Sequence, residues 1–437
     1  MADEMREATF QQLIDDGLLE IGDGYRAQNA ELGGTGPIFL RAGHVTDTHI
    51  DFTYVEHFHA HLADKVRSKM ARVDDTIITT KGNSTGRTSF VTDRFPPFVY
   101  SPHLSYWRTR DPKKLCGGFL RYWSQGKEFI EQLSGMKAST DMAPYLSLTN
   151  QRRLKITLPP LAEQKSIATV LGALDDKIEL NRRMNATLEA MARALFQSWF
   201  VDFDPVRAKL DARPPAGLGP ATANLFPNEF EDSELGHIPK GWEVRSLDKI
   251  AHYLNGLALQ KYPPGNGPTL PVIKIAQLRK GDSVGADRCN TDLPGEYVVQ
   301  DGDLLFSWSG SLEVELWCGG PGALNQHLFK VTSPEFPKWF YYLWTLYHLD
   351  EFRLIAAGKA TTMGHIQRGH LTAAQVLIPP RPLLDAMTRT MSPLIEQLIA
   401  NRIQSRTLAT LRDTLLPKLL SGEVPVGTVP APMENVT

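Results

Sequence analysis

The chain contains 437 residues, of which 42% are hydrophobic and 22% are charged, and its formal net charge at pH 7 is −2. This length exceeds what one core ordinarily organises and predicts about two to four domains. The composition excludes a disordered chain, no stretch reaches the ~18 apolar residues of a membrane span, and the balanced charge excludes a wholly basic shell around nucleic acid while allowing local basic patches.

The cysteines and the N-terminus favour the cytoplasm. Cys116, Cys289 and Cys318 are far apart and show no Cys-x-x-Cys spacing, which argues against a disulfide framework and a zinc knuckle. The first residues include Asp3, Glu4 and Glu7 and are too acidic for a signal or transit sequence. We expect a cytoplasmic protein.

Residues 1–158 are predicted to form a first domain of short strands and helices. Residues 37–40 and 76–79 are strand candidates because they are short apolar or β-branched runs. Residues 119–133 are predicted to be a helix. The strands end in polar loops, where binding residues commonly lie.

The loop at residues 80–88 is the first candidate binding element. It combines glycines with polar side chains, whose hydroxyl, amide and cationic groups suit phosphate oxygens or base edges; we assign Lys81, Asn83, Ser84, Thr85 and Arg87 to DNA contact. A P-loop is the alternative, but the spacing from Gly82 to Gly86 is one residue too short and an arginine replaces the lysine. A plain hairpin turn is the second alternative.

A second candidate element precedes the first long helix. Lys137, Ser139 and Thr140 combine a cation with hydroxyl donors, a combination that suits contact with the DNA backbone. Helix capping is the alternative role for the two hydroxyl residues.

Three histidines alternate at His57, His59 and His61, so an extended chain would point them to one face. Three imidazoles are a possible zinc ligand set. No equivalent exists later in the chain and no carboxylate-histidine motif flanks them, so we predict no metal.

A long helix is predicted from about residue 162 to 206, within a helical region at 159–209. Apolar positions alternate three and four residues apart, which is the seam pattern of a coiled coil. The seam includes Ile167, Leu171, Leu174, Ile178, Asn181, Leu188. Buried asparagine fixes helix register at a cost in stability, so Asn181 and Asn185 predict a specific partner; the alternative is a helix rotated so that the asparagines are partly hydrated.

Residues 210–237 are rich in proline, glycine and alanine and are predicted to be a linker or strap. A second domain is predicted at 238–378, with strands at 271–274 and 303–306 and a helix at 339–355. Its candidate DNA contacts are polar residues in corresponding places: Lys274, Gln277, Ser307, Trp308, Ser309, Lys359, Thr361, Thr362. Asn325 and Gln326 also suit adenine edges, whereas His327 is more commonly a satisfied core residue.

A second long helix is predicted from about residue 383 to 421, within a helical region at 379–421 that a flexible tail at 422–437 follows. Pro379 lies 220 residues after Pro159 (379 − 159), and this offset holds without a gap through both seams. The second seam contains Met391, Leu394, Leu398, Asn401, Leu408. The repeat predicts that the two helices pair and that the domains before them are similar, with diverging loops as the functional face.

Catalytic motifs are absent from the sequence. Phe95-Pro-Pro-Phe98 lacks the polar first residue of an amino-methyltransferase tetrapeptide, and we find no Walker motif, His-Glu-x-x-His or nucleophile elbow. Binding without catalysis is therefore the preferred interpretation. The alternatives are a two-headed protein-interaction scaffold, which exposed apolar patches would favour, and a standalone methyltransferase, which cofactor binding would favour.

The combined motifs resemble the specificity (S) subunit of type I restriction-modification systems over nearly the whole chain. The resemblance rests on Leu158-Pro-Pro-Leu-Ala-Glu-Gln164, Leu174-Asp-Asp-Lys-Ile-Glu-Leu-Asn181, Ile238-Pro-Lys-Gly-Trp242, Gly302-Asp-Leu-Leu305 and Leu415-Leu-Pro-Lys-Leu-Leu-Ser-Gly422. The first domain departs from the pattern because it lacks the Ile-Pro-x-Gly-Trp opening, and Arg381-Pro382 replaces the usual continuation after the second proline pair.

The resemblance implies an α+β protein with two similar α/β target-recognition domains and a long antiparallel two-helix coiled coil. It implies a non-catalytic subunit that binds double-stranded DNA at a bipartite target, one half-site per domain. Methylation (M) subunits, in two copies, would dock on the helices, and restriction (R) subunits would join through the complex. No cofactor is expected on this chain, because S-adenosylmethionine and ATP would be bound by the partners.

Overall fold

A computed structural model describes residues 5–46, 49–138, 145–358 and 364–426, with only the backbone at 137 and 138. The chain divides into two compact units. Unit 1 comprises residues 1–177 and 408–437, and unit 2 comprises residues 178–407. Each unit thus contains one of the predicted mixed segments and parts of both long helices. The exact domain boundaries proposed from the sequence stay predictions.

The part of unit 1 that precedes the first long helix, residues 5–158, is called its head; the part of unit 2 between the long helices is called the head of unit 2. The head of unit 1 contains nine strands and five α-helices among its described residues. In chain order they are β1 Arg6–Thr9, α1 Phe10–Asp15, β2 Leu19–Asp23, β3 Ile38–Leu40, β4 Glu56–His57, α2 Ala63–Val66, β5 Thr76–Thr79, β6 Thr88–Phe90, β7 Phe98–Tyr100, β8 Leu104–Thr109, α3 Gly117–Trp123, α4 Lys127–Ala138, α5 Leu148–Arg152 and β9 Lys155–Leu158.

Three sheets organise this head. β2, β8, β5 and β6 form an antiparallel sheet in that order, β4, β3 and β7 form a sheet whose β3–β7 pair is parallel, and β1 pairs antiparallel with β9. Trp107 on β8 is fully buried against Phe10, Trp123 and Phe129. The buried amide of Gln151 accepts a hydrogen bond from the Trp107 indole at 2.8 Å, so the core indole has a polar partner.

Both long helices run for forty residues, α6 from Leu161–Phe200 and α14 from Arg381–Leu420. The segment between them begins with α7 Asp204–Leu210, α8 Pro220–Leu225, β10 Phe230–Ser233, β11 Gly236–Pro239, β12 Glu243–Ser246, α9 Leu247–Ile250, β13 His252–Asn255, β14 Thr269–Ile273 and α10 Ile275–Lys280. It continues with β15 Arg288–Asn290, β16 Val298–Val299, β17 Leu304–Ser307, β18 Val314–Leu316, β19 Gly322–Leu324, β20 Leu328–Thr332, α11 Lys338–Tyr347, α12 Leu349–Ala357, α13 Arg368–Ala373 and β21 Gln375–Ile378.

The sheets of unit 2 are of the same kinds as those of unit 1. β13, β20, β17 and β18 form an antiparallel sheet, β15, β14, β19 and β16 form a sheet whose β14–β19 pair is parallel, and β12 pairs antiparallel with β21. β10 and β11 form a separate hairpin. The main core joins the β13–β20–β17–β18 sheet and β21 to aromatic residues of α11 and of the end of α6, including Trp339, Phe340 and Phe200.

The four predicted strands are present, but two helical predictions were wrong in detail. The helix expected at 119–133 is divided into α3 and α4, where Gly126 leaves no space for a side chain beside Leu420. The helix expected at 339–355 is divided at His348, whose ring nitrogen donates to the carbonyl of Gln375 at 2.9 Å. The segment expected to be a linker contains α8 and the β10–β11 hairpin.

The first long helix ends six residues before its predicted end. It stops at Phe200, and Phe203 adopts a left-handed backbone with φ of 54° before α7 begins at Asp204. Pro205 lies in the first turn of α7, where the missing N–H has no helical partner in any case. The proline therefore marks the start of a new helix and not the end of the long one.

The two long helices pack against each other in both units. In unit 1, fully buried Ile167 and Leu171 share a core with Leu416 and Leu419, and Asp175 accepts from Arg412 at 2.7 Å. In unit 2, Met391 and Leu398 are fully buried while the other predicted seam residues are buried or half-buried. The predicted pairing of the helices is thus observed.

Buried asparagines connect the helices in unit 2. Asn401 donates to the side-chain oxygen of Asn185 at 2.9 Å, and Asn181 donates to Gln404 at 2.8 Å and to Ser405 at 3.2 Å. Higher numbers on α6 thus meet lower numbers on α14, so the pair is antiparallel. Asn181, Asn185 and Asn401 are only 1%, 7% and 4% exposed, which excludes the alternative of hydrated asparagines.

Arginines of α14 connect the helix pair to the head of unit 2. Arg402 contacts Glu189 of α6 at 2.9 Å and Glu315 of β18 at 3.1 Å. Arg406 donates both terminal nitrogens to Asp301 at 2.7 Å, which lowers the pKa of that carboxyl group. Burial raises the pKa of Glu315 even though Arg402 opposes the shift. These charges fix the head of unit 2 against its own helical segments.

Two features are absent from the described ranges. No helix there is long and apolar enough to cross a membrane. No group of three or more histidine, cysteine or acidic residues there is arranged to hold a metal ion. The ring of His57 instead donates to the carbonyl of Gly36 at 2.9 Å.

The asparagine pair yields a stability prediction. We expect Asn401→Leu and Asn185→Leu each to lower the free energy of unfolding by about 1–3 kcal/mol, because each leaves a buried amide without its partner. The double variant should lose less than the sum, with a coupling of about 0.5–3 kcal/mol. Urea unfolding of the full chain and the three variants measures the cycle, and strictly additive losses would contradict it.

Candidate nucleic-acid interface

The candidate loop of unit 1 connects antiparallel strands β5 and β6. The buried hydroxyl group of Thr79 accepts from the backbone N–H of Arg87 at 3.0 Å, and Thr85 donates to the carbonyl of Gly82 at 2.7 Å. Gly82 and Gly86 have φ of 86° and 90°, a region that favours glycine. The hairpin alternative is therefore the observed conformation, and the loop does not lead into a helix as a P-loop would.

The predicted contact residues of this loop differ in accessibility. Lys81 and Asn83 are exposed, Ser84 and Arg87 are half-buried, and Thr85 is buried. A terminal nitrogen of Arg87 donates to the carbonyl of Val45 at 2.9 Å. This contact places the hairpin beside the segment that follows β3, so the accessible edge of unit 1 includes two loops.

The corresponding loop of unit 2 connects antiparallel strands β17 and β18. Ser307 is fully buried, and its hydroxyl group donates to the carbonyl of Ser311 and accepts from the N–H of Glu313, both at 2.7 Å. Ser309 is 4% exposed and its hydroxyl lies 3.0 Å from Nδ1 of His327. The hydroxyl groups of these two serines are occupied by contacts within the protein and stabilise the loop. Any contact with a base or a phosphate would therefore involve mainly the neighbouring residues.

Trp308 is the centre of a polar and aromatic cluster. Its indole N–H donates to the side-chain oxygen of Asn255 at 2.8 Å, and its ring centroid lies 5.9 Å from that of His327 and 6.4 Å from that of His365. Trp308, His327 and His365 are all half-buried, so parts of each ring face solvent. The arrangement presents ring surface together with amide and imidazole groups.

Each loop also pairs with a second segment of its own unit. Lys81 forms a β-bridge with Tyr145, and Ser309 forms one with His365. The backbone of Leu146 donates to Thr80 at 2.9 Å, as that of Ile366 does to Trp308. In each unit the candidate hairpin thus adjoins a described segment, which begins at Tyr145 in unit 1 and includes His365 in unit 2.

Several predicted contacts lie outside the described residues and stay predictions: Ser139, Thr140, Lys359, Thr361, Thr362. Lys137 has a described backbone within α4 but no described side chain. In unit 2, exposed Lys274 lies 2.5 Å from Asp287 and lowers the pKa of that carboxyl group, and Gln277 accepts from the Lys274 backbone at 3.3 Å. Lys274 is thus accessible but paired, and Gln277 caps α10.

Sequence reasoning missed Asn255, His365 and Arg368. Arg368 lies over the ring of Phe329 at 5.6 Å and donates to the carbonyl of Tyr253 at 3.2 Å. The one hint in the sequence that this segment approaches another closely was Gly256, the residue after Asn255. In the structure, a side chain at Gly256 would overlap the backbone of Asn325. That close approach brings the end of β13 to the Trp308 loop, although their residues are far apart in sequence.

Comparison with known proteins identifies the family. The model of the type I restriction modification DNA specificity domain matches residues 50–190 and 239–405, together more than half of the chain. The chain belongs to this family. The match confirms the resemblance to type I specificity subunits, and DNA target recognition is the property that defines them.

Two curated specificity subunits are similar over most of their length. That of the type I restriction enzyme MjaIX from Methanocaldococcus jannaschii is 28% identical over 320 residues, or 70% of this chain and 69% of the relative. That of HindI from Haemophilus influenzae is 24% identical over 348 residues, or 68% of this chain and 74% of the relative.

A solved structure shares the fold. The crystal structure of a type I restriction-modification S subunit from M. genitalium has a TM-score of 0.55 at 13% identity and covers 95% of this chain and 96% of that one. At this identity the likeness concerns the fold alone. The mixed α+β architecture with a long helix is therefore that of a specificity subunit.

The glycines of the unit 1 hairpin provide a matched pair of variants. A side chain at Gly86 would overlap Leu133, whereas one at Gly82 meets open space, and both glycines have a positive φ. We expect Gly86→Ala to cost about 1–3 kcal/mol more stability than Gly82→Ala, because only the former overpacks the core. Thermal unfolding of the two full-length variants measures the difference, and equal losses would contradict the observed packing.

Proposed function

We propose that this specificity subunit binds a bipartite DNA target, with one half-site read by the head of each unit. The observation that carries the proposal is that both heads contain a hairpin bridged to a second segment, Lys81 to Tyr145 and Ser309 to His365. The equal lengths of α6 and α14 and their 220-residue offset support an internal pseudo-two-fold repeat. Two copies of one recognition plan suit two half-sites.

The two faces would use different chemistry. In unit 1, exposed Lys81 suits a phosphate and exposed Asn83 suits a base edge. In unit 2, the Trp308 cluster offers ring surface and imidazole groups, and Arg368 adds a guanidinium group nearby. Two chemically different faces predict two different half-site sequences.

We further propose that the paired helices set the spacer between the half-sites. A helix rises about 1.5 Å per residue, so forty residues span about 60 Å. Asn185, Asn401 and their neighbours hold the helices in one register. A fixed register would keep the spacer length constant, and half-sites about one DNA turn (~34 Å) apart fall within the reach of such a helix pair.

The outer face of α6 is the proposed docking surface for a methylation subunit. Leu180, Met184 and Met191 lie along one side of the helix and are 38%, 37% and 48% exposed. Methionine is common at surfaces that bind other proteins, because its unbranched side chain adapts to a partner. Leu411, 45% exposed, is the repeat equivalent of Met191 (411 − 191 = 220) and would belong to the corresponding docking surface on α14. Two docking surfaces predict two methylation subunits.

The same proposal assigns catalysis to the partners. The methylation subunits would carry S-adenosylmethionine and the restriction subunits ATP, while this chain would hold no cofactor and act in the cytoplasm. Three features support a binding role: the catalytic motifs missing from the sequence, the hydroxyl groups committed to loop hydrogen bonds, and the family match.

The bipartite target can be tested by mapping methylated sites in cells that express this chain with its partner subunits. We expect one sequence in two parts. Inserting four residues in each helix, after Asp176 and after Thr410, should lengthen the pair by about 6 Å and the spacer by about two base pairs at ~3.4 Å each. Both half-site sequences should stay the same. A changed half-site, or an unchanged spacer, would contradict the role of the helices.

The docking surface can be tested with Met184→Glu. A buried charge at an apolar interface is unfavourable, so we expect at least a tenfold loss of affinity for the methylation subunit without a change in thermal unfolding. The matched control is Ala190→Glu, at an exposed position on a different side of α6. Equal binding by both variants, measured by co-purification and titration calorimetry, would exclude this face.

A further inference from the structure

Tyr54 has the most unusual combination of conformation and exposure in the described part of unit 1. Its side chain is 97% exposed, and its φ of 56° lies in the left-handed region. Bulky residues are genuine outliers in that region, which glycine and asparagine occupy more readily. An exposed ring gains no burial within the chain that would offset this strain.

The turn that carries Tyr54 is held from both sides. The ring of Phe52 lies 5.3 Å from that of Phe95 and 5.8 Å from that of Phe98, and Val55 packs on the same core. The backbone of Thr53 donates to the carboxylate of Asp51 at 2.8 Å, and hydrogen bonds from the side chain and from the backbone of Thr53 lower the pKa of Asp51. The half-buried residues on both sides, Phe52 and Val55, thus anchor the turn on the core, while the ring of Tyr54 is exposed to solvent.

The turn belongs to the same edge of unit 1 as the candidate hairpin. Tyr54 lies in the segment that follows β3, and that segment receives the Arg87 side chain at the carbonyl of Val45, 2.9 Å away. The backbone of Asp51 donates to the carbonyl of His44 at 2.8 Å, so the Val45 region and the Tyr54 turn are joined. The exposed ring of Tyr54 thus belongs to a segment that contacts the hairpin on which Lys81 and Asn83 are exposed.

We propose that Tyr54 is a specificity-determining DNA contact whose ring stacks on a base of the first half-site. This inference rests on the proposed function, because it assigns a residue to the DNA face of unit 1. Strained backbone is retained where the surroundings enforce it, and such strain concentrates at functional sites. Aromatic rings stack on unstacked bases, and side-chain wedges open base steps in several DNA-binding proteins. The strained backbone of Tyr54 would place the ring in its binding position before DNA binds.

Two measurements distinguish a DNA contact from a structural role: the change in the midpoint of thermal unfolding and the change in DNA affinity. Tyr54→Gly should raise the midpoint of thermal unfolding, because glycine adopts positive φ without strain. It should also weaken binding of the assembled methylation complex to its mapped duplex by about 5- to 100-fold, the range reported for loss of one stacked base. Tyr54→Phe keeps the ring and should bind within about twofold of the parent complex.

Ala212→Gly is the matched control for strain. Ala212 is exposed, has φ of 53° and lies outside the proposed DNA faces, so glycine there should raise the unfolding midpoint and leave DNA affinity unchanged. In methylation mapping, Tyr54→Gly should relax base preference in the first half-site and leave the second unchanged.

Two outcomes would overturn the assignment of Tyr54. Parental affinity in Tyr54→Gly, on a site that the parent complex binds, would show that the ring contributes no contact. A fall in both the unfolding midpoint and the affinity would show that the ring stabilises the fold instead. If the parent complex has no bipartite target, the proposed function itself is wrong. That result is distinguishable from the two outcomes for Tyr54→Gly, because it concerns the parent complex.

Discussion

The rest of this structure depends on the antiparallel pairing of α6 and α14 through buried amides. An asparagine removed from water must find a partner, and Asn185 and Asn401 satisfy each other at 2.9 Å. Shifting one helix by one turn would break this pair and bury both amides unsatisfied. The oxygen of Asn181 is already buried without a partner among the described residues, so the seam sacrifices some stability for a single register.

Charged residues connect the paired helices to the head within each unit. In unit 2, Arg402 and Arg406 extend from α14 to Glu315 and Asp301 of the head. In unit 1, Asp175 of α6 receives Arg412 of α14 together with Arg121 and Tyr122 of the head. Partly buried pairs of this kind stabilise little by themselves, but breaking one leaves an uncompensated charge. Their main consequence is orientation: within each unit the head is fixed to its helical segments.

In the proposed binding faces, some side chains stabilise the loops and others are exposed to solvent. Ser307 and Thr85 direct their hydroxyl groups into their own loops, where buried backbone groups require partners. Lys81, Asn83 and Tyr54 of unit 1 are exposed to solvent. Exposed residues of this kind can be substituted without loss of the fold, because the hydrogen bonds that form the loops do not depend on them.

The sequence by itself determined the long helices, their seam, the strands at 38–40 and 304–307 and the family, because these depend on local periodicity and contiguous motifs. It did not determine the helix break at His348, the end of α6 at Phe200, or the burial of Ser307. A hydrogen bond between His348 and the distant Gln375 accompanies the first of these, whereas the hydrogen bonds of Ser307 join it to Ser311 and Glu313 within its own folded loop. The Trp308–Asn255–His365 cluster likewise exists only because strands far apart in sequence end together. Periodicity is a local property that a sequence displays, whereas the meeting of loops is a consequence of packing, which only the tertiary structure decides.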